Sequence, residues 1–254
     1  MAFDGVTIAA VVKELKDYCI GGRLYKIAQP EADELLLTIK GAQGQKRLLI
    51  SAGASLPLIY FTENNKPSPM TAPGFCMLLR KHLQNGRIVD VSQPGLERII
   101  RMDIEHLDEM GDLCKKTLII ELMGKHSNII FCNEEGIILD SIKHVSSLVS
   151  SVRVVLPGRE YFVAQTQDKS DPLTLDKEVF LTEVMTKPQP VYKALYLSYT
   201  GISPILAQEI CFRAGVDGEM PTVGLSVEEK EHVYESFAKV MEQVKQGEFA
   251  PCIA

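Results

Sequence analysis

Apolar residues along the chain first follow a helical period and then mostly a strand-like one. Apolar positions three and four apart predict a helix over 6–19, which Asp4 can cap and Gly21–Gly22 ends. A second helix is predicted over 75–84. Short apolar or alternating segments, separated by glycine- and proline-rich turns, predict strands at 23–29, 34–40, 46–51, 58–62, 87–93, 98–104, 116–123, 128–132 and 136–142. Many short strands with few helices predict an α+β fold built on a β-sandwich or barrel.

The pattern changes after Leu156–Pro157–Gly158. Residues 159–172 are polar and have no clear period, and four helices are predicted beyond them, at 174–186, 190–198, 203–214 and 226–246. We therefore predict a β-sandwich domain over 1–165 and a small all-helical domain over 171–254. Apolar residues at 233, 237, 240 and 244 form a brief heptad seam, which either continues into a coiled coil beyond this chain or packs on neighbouring helices. Gly247 and Pro251 favour packing.

Composition narrows the classes of function. The chain has 254 residues and a formal net charge of -6, so bulk electrostatics do not attract nucleic acid, although a local basic site is compatible with this charge. We find no signal peptide and no apolar run of about 18 residues, so a cytoplasmic protein without a membrane span is expected. The six cysteines include no Cys-x-x-Cys pair and the five histidines lack metal-ligand spacing. Buried, reduced thiols and neither metal nor cofactor are expected.

The sequence has no nucleophile elbow, Walker loop or zinc-protease helix, so we expect no enzyme. Two polar groupings are instead candidates for a binding site. The first is Arg80–Lys81–His82, predicted on the exposed face of helix 75–84. The second is Gly124–Lys125–His126–Ser127–Asn128, between two apolar strands. Cations, a hydroxyl and an amide suit phosphate and base-edge contacts. On residue pattern alone, a solvated helix face and a plain polar loop remain open alternatives.

A third feature is the helix start Thr200–Gly201–Ile202–Ser203–Pro204. Gly201 permits a sharp turn, and Ser203 is a typical N-cap residue. Backbone N–H groups at such a start can hold a phosphate, so Gly201 and Ser203 form a weak candidate phosphate site.

Five stretches of the chain resemble the NFACT family, the ribosome quality control factors of the RqcH type in bacteria and the NEMF type in animals. They are Met1–Gly5, Gly22–Pro30, Pro73–Leu83, Glu121–Ile130 and Asp140–Val145. The resemblance implies a β-sandwich similar to the amino-terminal domain of formamidopyrimidine-DNA glycosylases, followed by a helix–two-turns–helix region. Glycosylase chemistry is not implied, because the catalytic amino-terminal proline and the zinc-finger cysteines are missing.

The resemblance implies binding of tRNA, with alanyl-tRNA as the expected species, and of large ribosomal subunits carrying an obstructed peptidyl-tRNA. Alanine tailing of the stalled chain would need the full-length protein, with its coiled coil and carboxy-terminal RNA-binding domain. Glu121 joins the RNA-binding candidates, as does Glu97–Arg98, where the family typically has an Asp-Arg pair. Bacterial members are also named fibronectin- or fibrinogen-binding proteins, so a surface adhesin is the alternative. A DNA-lesion binder ranks third.

Overall fold

The computed structural model describes residues 3–150, 152–163 and 168–250, which form two compact units. Within these residues, the first unit holds most of the chain up to 163, and the second holds residues 168–250 together with 4–10 and 94–97. The helical unit therefore draws on three separate parts of the chain. A single predicted boundary misses the two short segments, because neither differs in composition from its surroundings.

The first unit is a nine-stranded antiparallel sheet with two long helices. The elements in chain order are α1 Gly5–Cys19, which begins in the second unit, β1 Arg23–Ala28, β2 Glu34–Gly41, β3 Gly44–Ser51, β4 Leu58–Thr62, α2 Gly74–Leu83, β5 Arg87–Ser92, β6 Ile99–Leu107, β7 Leu113–Glu121, β8 Asn128–Cys132 and β9 Ile138–Ser141. The strand order is β4-β3-β2-β1-β5-β6-β7-β8-β9. Each predicted strand and both helices are confirmed, with small shifts at their ends.

The sheet folds over on itself to make the predicted sandwich. Its halves meet at β1 and β5, where Arg23 pairs with Arg87. All five positions of β8 and five consecutive positions of β2 are buried, as in strands covered on both faces. The Lys143 ammonium donates to the Ala52 carbonyl, which joins the chain after β9 to the end of β3. Residues near opposite ends of the strand order are thus brought together.

The second unit packs helices around an aromatic core. It contains α3 Lys177–Val179, which runs into a π-helical turn Phe180–Val184, and α4 Val191–Ser198, α5 Pro204–Arg213 and α6 Val227–Gln246. The rings of Tyr199 and Phe237 lie edge to face, with centroids 5.0 Å apart, and Phe180 is 6.2 Å from Phe237. Val233, Phe237 and Val240 of α6 are buried in this core, so the heptad positions pack on neighbouring helices.

The helix predicted over 174–186 is shorter than expected. Pro172–Thr174 forms a separate 3-10 turn that Asp171 caps, and Asp176 caps a new start through its bond to the Val179 N–H. Two caps in quick succession interrupt one helix, because each carboxylate bonds backbone N–H groups that mark a helix beginning. No helix in the described ranges is long and apolar enough to cross a bilayer.

The buried thiols match the sequence prediction at four positions. Burial raises the pKa of Cys19 and Cys132 to about 12 and that of Cys211 to about 11, and it also raises the pKa of Cys76. These thiols stay protonated at neutral pH and are poor nucleophiles. Cys114 is half-buried, and Cys252 lies outside the described residues.

Candidate RNA-binding surface

The polar loop after β7 is a 3-10 turn, Gly124–His126, whose backbone is bonded by Ser127. The Ser127 hydroxyl accepts the Met123 N–H at 2.8 Å, and the Ser127 N–H donates to the Gly124 carbonyl at 3.0 Å. Ser127 is 1% exposed. The side chain is buried and already bonded to the backbone of its own turn, so the structure gives Ser127 a supporting position, and its predicted RNA contact stays untested.

Asn128 fixes the other side of the turn. Its amide nitrogen donates to the Lys143 carbonyl at 2.9 Å, and its oxygen accepts the N–H groups of Ile129 and Lys143 at 2.9 and 3.1 Å. The side chain is therefore buried, with its amide nitrogen and its oxygen both bonded, and its predicted RNA contact stays untested. Asn128 instead ties the turn to the segment after β9.

Glu121, the last residue of β7, is fully buried. Its carboxylate accepts the Tyr161 hydroxyl at 2.9 Å and forms an ion pair with Arg153. Burial and then the charge of Glu121 raise the pKa of the Tyr161 hydroxyl. In this geometry the carboxylate is enclosed and paired with Arg153, and the predicted RNA contact of Glu121 stays untested. A carboxylate at the surface would in any case repel phosphate.

Three polar side chains remain available at this end of the sheet. Lys125 and His126 are exposed, and Arg98 is half-buried. The Leu122 N–H donates to the Arg98 carbonyl at 2.9 Å, which fixes the Arg98 backbone beside the strand that leads into the turn. None of these three side chains has a hydrogen bond or ion pair among the described residues. We call Arg98, Lys125 and His126 the loop site.

Glu97, the other half of the predicted pair, is half-buried and belongs to the segment 94–97 of the helical unit. Its N–H donates to the Pro94 carbonyl at 3.0 Å in a tight turn. Arg98 follows directly in the sandwich unit. The RNA-binding role of Glu97 and Arg98 stays a prediction.

Arg80, Lys81 and His82 do not form the single exposed basic face predicted on α2. Arg80 is half-buried, and its Nε donates to the Ile27 carbonyl of β1 at 2.8 Å. Lys81 is exposed and pairs with Glu109 at 3.1 Å. The prediction of an exposed Arg80 is therefore wrong, because a long side chain on this face bends back to bond the neighbouring strand.

His82 is turned toward the sandwich. Its ring lies 6.1 Å from that of Phe131 and 6.4 Å from that of His106, measured between centroids. Burial, followed by the charges of Lys116 and Lys81, lowers the pKa of His82 below its ordinary value. The imidazole is thus neutral at neutral pH and does not serve as a cation for phosphate.

The two predicted groupings are carried by separate elements. Arg98 precedes the first residue of β6 and Gly124–His126 follows β7, whereas Arg80–Lys81–His82 lies on α2. Arg80 bonds β1, and the His82 ring faces Phe131 of β8.

The helix start at Gly201 and Ser203 is occupied by the protein itself. Ser203 caps α5 by accepting the Leu206 N–H at 3.1 Å, and its hydroxyl donates to Asp4 at 2.7 Å. Asp4 also caps α1 through Thr7, as predicted. A carboxylate beside this helix start competes with any phosphate, so the geometry does not favour the predicted phosphate site, which stays untested.

Gly201 has a packing role. It has φ of +75°, and a Cβ built on it would lie 2.2 Å from the Leu96 carbonyl oxygen. Only glycine fits so close an approach in this backbone conformation.

Sequence reasoning missed the residues that support the loop site, namely Lys143, Arg153 and Tyr161. Each is separated from its partner by 15 or more residues. No local pattern links them, because the pairing depends on how β8, β9 and the following segment fold together.

Comparison with known proteins identifies the family. The model of the NFACT N-terminal and middle domains matches residues 4–254. The Rqc2 homolog RqcH of Bacillus subtilis is 35% identical over 237 residues, which cover 91% of this chain and 42% of that protein. The mouse ribosome quality control complex subunit NEMF is 26% identical and covers 85% of this chain and 19% of itself. The chain thus spans about two fifths of the length of the bacterial relative.

Two solved structures share the fold. The fibrinogen binding protein from Staphylococcus aureus is 30% identical, covers 96% of this chain and 83% of its own, and has a TM-score of 0.81. The N-terminal domain of a fibronectin-binding protein from Streptococcus pneumoniae is 34% identical, covers 82% of this chain and 78% of its own, and has a TM-score of 0.75. With the family model matching nearly the whole sequence, this chain belongs to the NFACT family.

Proposed function

We propose that this chain is the RNA-binding amino-terminal module of a ribosome quality control factor, with the loop site in contact with tRNA. The names of its relatives support the process, since they include an Rqc2 homolog and subunits of the ribosome quality control complex. The partners proposed are tRNA, with alanyl-tRNA as the expected species, and the obstructed large ribosomal subunit in the cytoplasm. Alanine tailing would be a property of the longer protein.

One observation carries the proposal: Arg98, just before β6, and Lys125 and His126, in the turn after β7, have side chains without partners among the described residues, and Ser127 and Asn128 hold the backbone of that turn. Two permanent charges and an imidazole suit phosphate and base edges, because each can bond nucleic acid without first breaking a bond inside the protein. The net charge of -6 makes this local arrangement necessary. We propose that the module acts by binding and performs no chemistry itself.

The test is equilibrium binding of tRNA over a series of salt concentrations. Arg98→Ala and Lys125→Ala should each weaken binding and reduce the magnitude of the log–log salt slope by roughly 0.7–0.9. Lys239→Ala is the matched control, since Lys239 is an exposed lysine of α6 outside the loop site. Equal losses for all three variants would mean that only total charge matters, and the loop site would be rejected.

A second candidate, binding of fibronectin or fibrinogen, is supported only by the names of the two solved relatives. It is separated from the first by the same variants. An adhesin should bind immobilised fibronectin with an affinity that Arg98→Ala and Lys125→Ala leave unchanged, and it should show no preference for tRNA over polyanions of equal length.

A further inference from the structure

A small pocket of about 260 Å³ lies between β1 and the start of α2. Lys26 and Gln29 of the β1 segment and Arg80 of α2 line one side, and residues 68–73 line the other. All of them belong to the sandwich unit. The volume is at the lower end of the roughly 300–1,000 Å³ typical of small-molecule sites, which limits the occupant to a small group.

The charges of this pocket, which we call the α2 pocket, favour an anion. Arg80 is fixed by its Nε bond to the Ile27 carbonyl, which leaves its two terminal amino groups unpaired among the described residues. Lys26 likewise has no hydrogen bond or ion pair within the described part of the chain. No acidic residue is among the lining side chains of this described region. Because the Nε bond already fixes the Arg80 side chain, its terminal amino groups can bond a phosphate with little further loss of side-chain freedom.

Gln29 adds a second requirement. The residue is 5% exposed, and its amide nitrogen donates to the Ala32 carbonyl at 3.1 Å. Its Oε1 atom is buried and has no hydrogen-bond partner. An unpaired buried acceptor is destabilising, and a ligand that brings an N–H or O–H donor would satisfy it. The occupant should therefore carry a donor as well as a negative charge.

The opposite wall is made by residues 68–73, among them the apolar Pro69, Met70 and Pro73. The side chain of Met70 is fully exposed to solvent, which is unusual for so apolar a group. Proline rings, a methionine and the flat face of a guanidinium are surfaces on which a planar ring packs well. Gln29 lines the same pocket as these apolar residues, so the unpaired Oε1 belongs to a side chain at its wall.

We propose that the α2 pocket binds one nucleotide of a single-stranded RNA segment. The phosphate lies between Lys26 and Arg80, the base packs against the proline wall, and a base N–H donates to Gln29 Oε1. Single-stranded RNA is recognised in this way, by unstacked bases held one at a time beside cationic groups. The proposal rests on the proposed function for its RNA partner, and it adds a site distinct in its residues from the loop site.

The experiment is NMR of the full chain with 13C-labelled methionine methyl groups, titrated with AMP, CMP, GMP and UMP, and separately with ribose 5-phosphate and inorganic phosphate. The Met70 signal is assigned from Met70→Leu. At least one nucleotide should shift the Met70 signal saturably, while the signal of Met110, an exposed methionine outside the pocket, stays still. Ribose 5-phosphate and inorganic phosphate should shift the Met70 signal less.

Two variants test the anion contacts. Lys26→Ala, at an exposed strand position, should weaken nucleotide binding about tenfold, as loss of one charge-assisted contact does. Arg80→Lys should weaken nucleotide binding by a similar factor, because lysine keeps the positive charge but lacks the paired N–H donors of the guanidinium. Lys239→Ala should leave the titration unchanged. Lys26→Ala keeps the test decisive if Arg80→Lys unfolds the chain.

The outcomes separate this proposal from the proposed function. If tRNA binds through Arg98 and Lys125 while no nucleotide moves the Met70 signal, the α2 pocket proposal alone is overturned. An equal shift with inorganic phosphate, or no effect of Lys26→Ala, also overturns it. If nucleotides bind with the predicted variant effects but tRNA does not, the nucleotide site stands and the proposed function falls.

Discussion

At the residue scale, the ion pair between Glu121, at the end of β7, and Arg153 leads to a specific prediction about stability. Arg153→Met leaves a buried carboxylate with Tyr161 as its remaining partner. We expect a loss of about 3 kcal/mol in the free energy of unfolding, measured by urea denaturation, because an uncompensated buried charge is strongly unfavourable. Adding Glu121→Gln to Arg153→Met should restore part of the lost free energy of unfolding, because it removes the unpaired charge. A double variant as unstable as Arg153→Met would contradict a charge-based explanation.

His82 predicts a pH dependence of stability. Burial and the nearby charges of Lys116 and Lys81 lower its pKa in the folded chain from 6.5, so the unfolded chain binds the proton more readily. Stability should therefore fall as pH decreases from about 6.5 toward the lowered pKa. The measurement is the urea midpoint of wild type and His82→Phe between about pH 7.5 and 5.5, and the variant should lose less stability on acidification. If the urea midpoints of wild type and variant change equally with pH, His82 does not contribute to the pH dependence of stability.

At this scale the sequence predicted residue types better than roles. It indicated a polar turn at 124–128, but Ser127 and Asn128 proved to hold the turn and Lys125 and His126 to be exposed. The difference depends on Lys143, which is 15 residues from Asn128 in sequence. Arg80 was misjudged for a similar reason, since its bond to Ile27 spans 53 residues.

At the scale of elements, the turn between α4 and α5 tests close packing. Gly201→Ala should destabilise the helical unit far more than Gly215→Ala. Both glycines have positive φ, +75° and +72°, but only a Cβ at Gly201 meets other atoms, with the Leu96 carbonyl oxygen at 2.2 Å. Gly215→Ala should lose only about 1–2 kcal/mol, the strain of a left-handed backbone.

Thermal unfolding followed by circular dichroism would measure the difference. Equal losses in the two variants would mean that backbone strain alone explains both glycines, and the packing role of Gly201 would be rejected.

Helices and strands were predicted well because their apolar periods are local and strong. The exceptions depend on features that the spacing of apolar residues does not record. The segment 94–97 joins the helical unit although it lies between two strands of the sandwich, and the first helix of that unit is divided by the caps Asp171 and Asp176. Residue spacing indicates which face of an element is apolar, but it does not indicate which distant element covers that face.

At the scale of the whole molecule, an acidic chain is proposed to bind RNA through local basic positions, the loop site first among them. The overall charge of -6 opposes non-specific binding, so affinity should depend on a few positions and not on the sum of charges. The sequence alone did not predict that Arg80 would bond β1 while Lys125 and His126 stay exposed in the turn after β7. The loop site and the α2 pocket share no residue, so they are proposed to make different contacts.

The most direct measurement is recovery of the full-length protein from cells, followed by sequencing of the RNA that copurifies. Wild type should enrich one or a few tRNA species together with large-subunit ribosomal RNA. Arg98→Ala combined with Lys125→Ala should lose the tRNA enrichment, while Lys239→Ala should retain it. Random RNA at background level with wild type, or equal tRNA recovery with the double variant, would contradict the account.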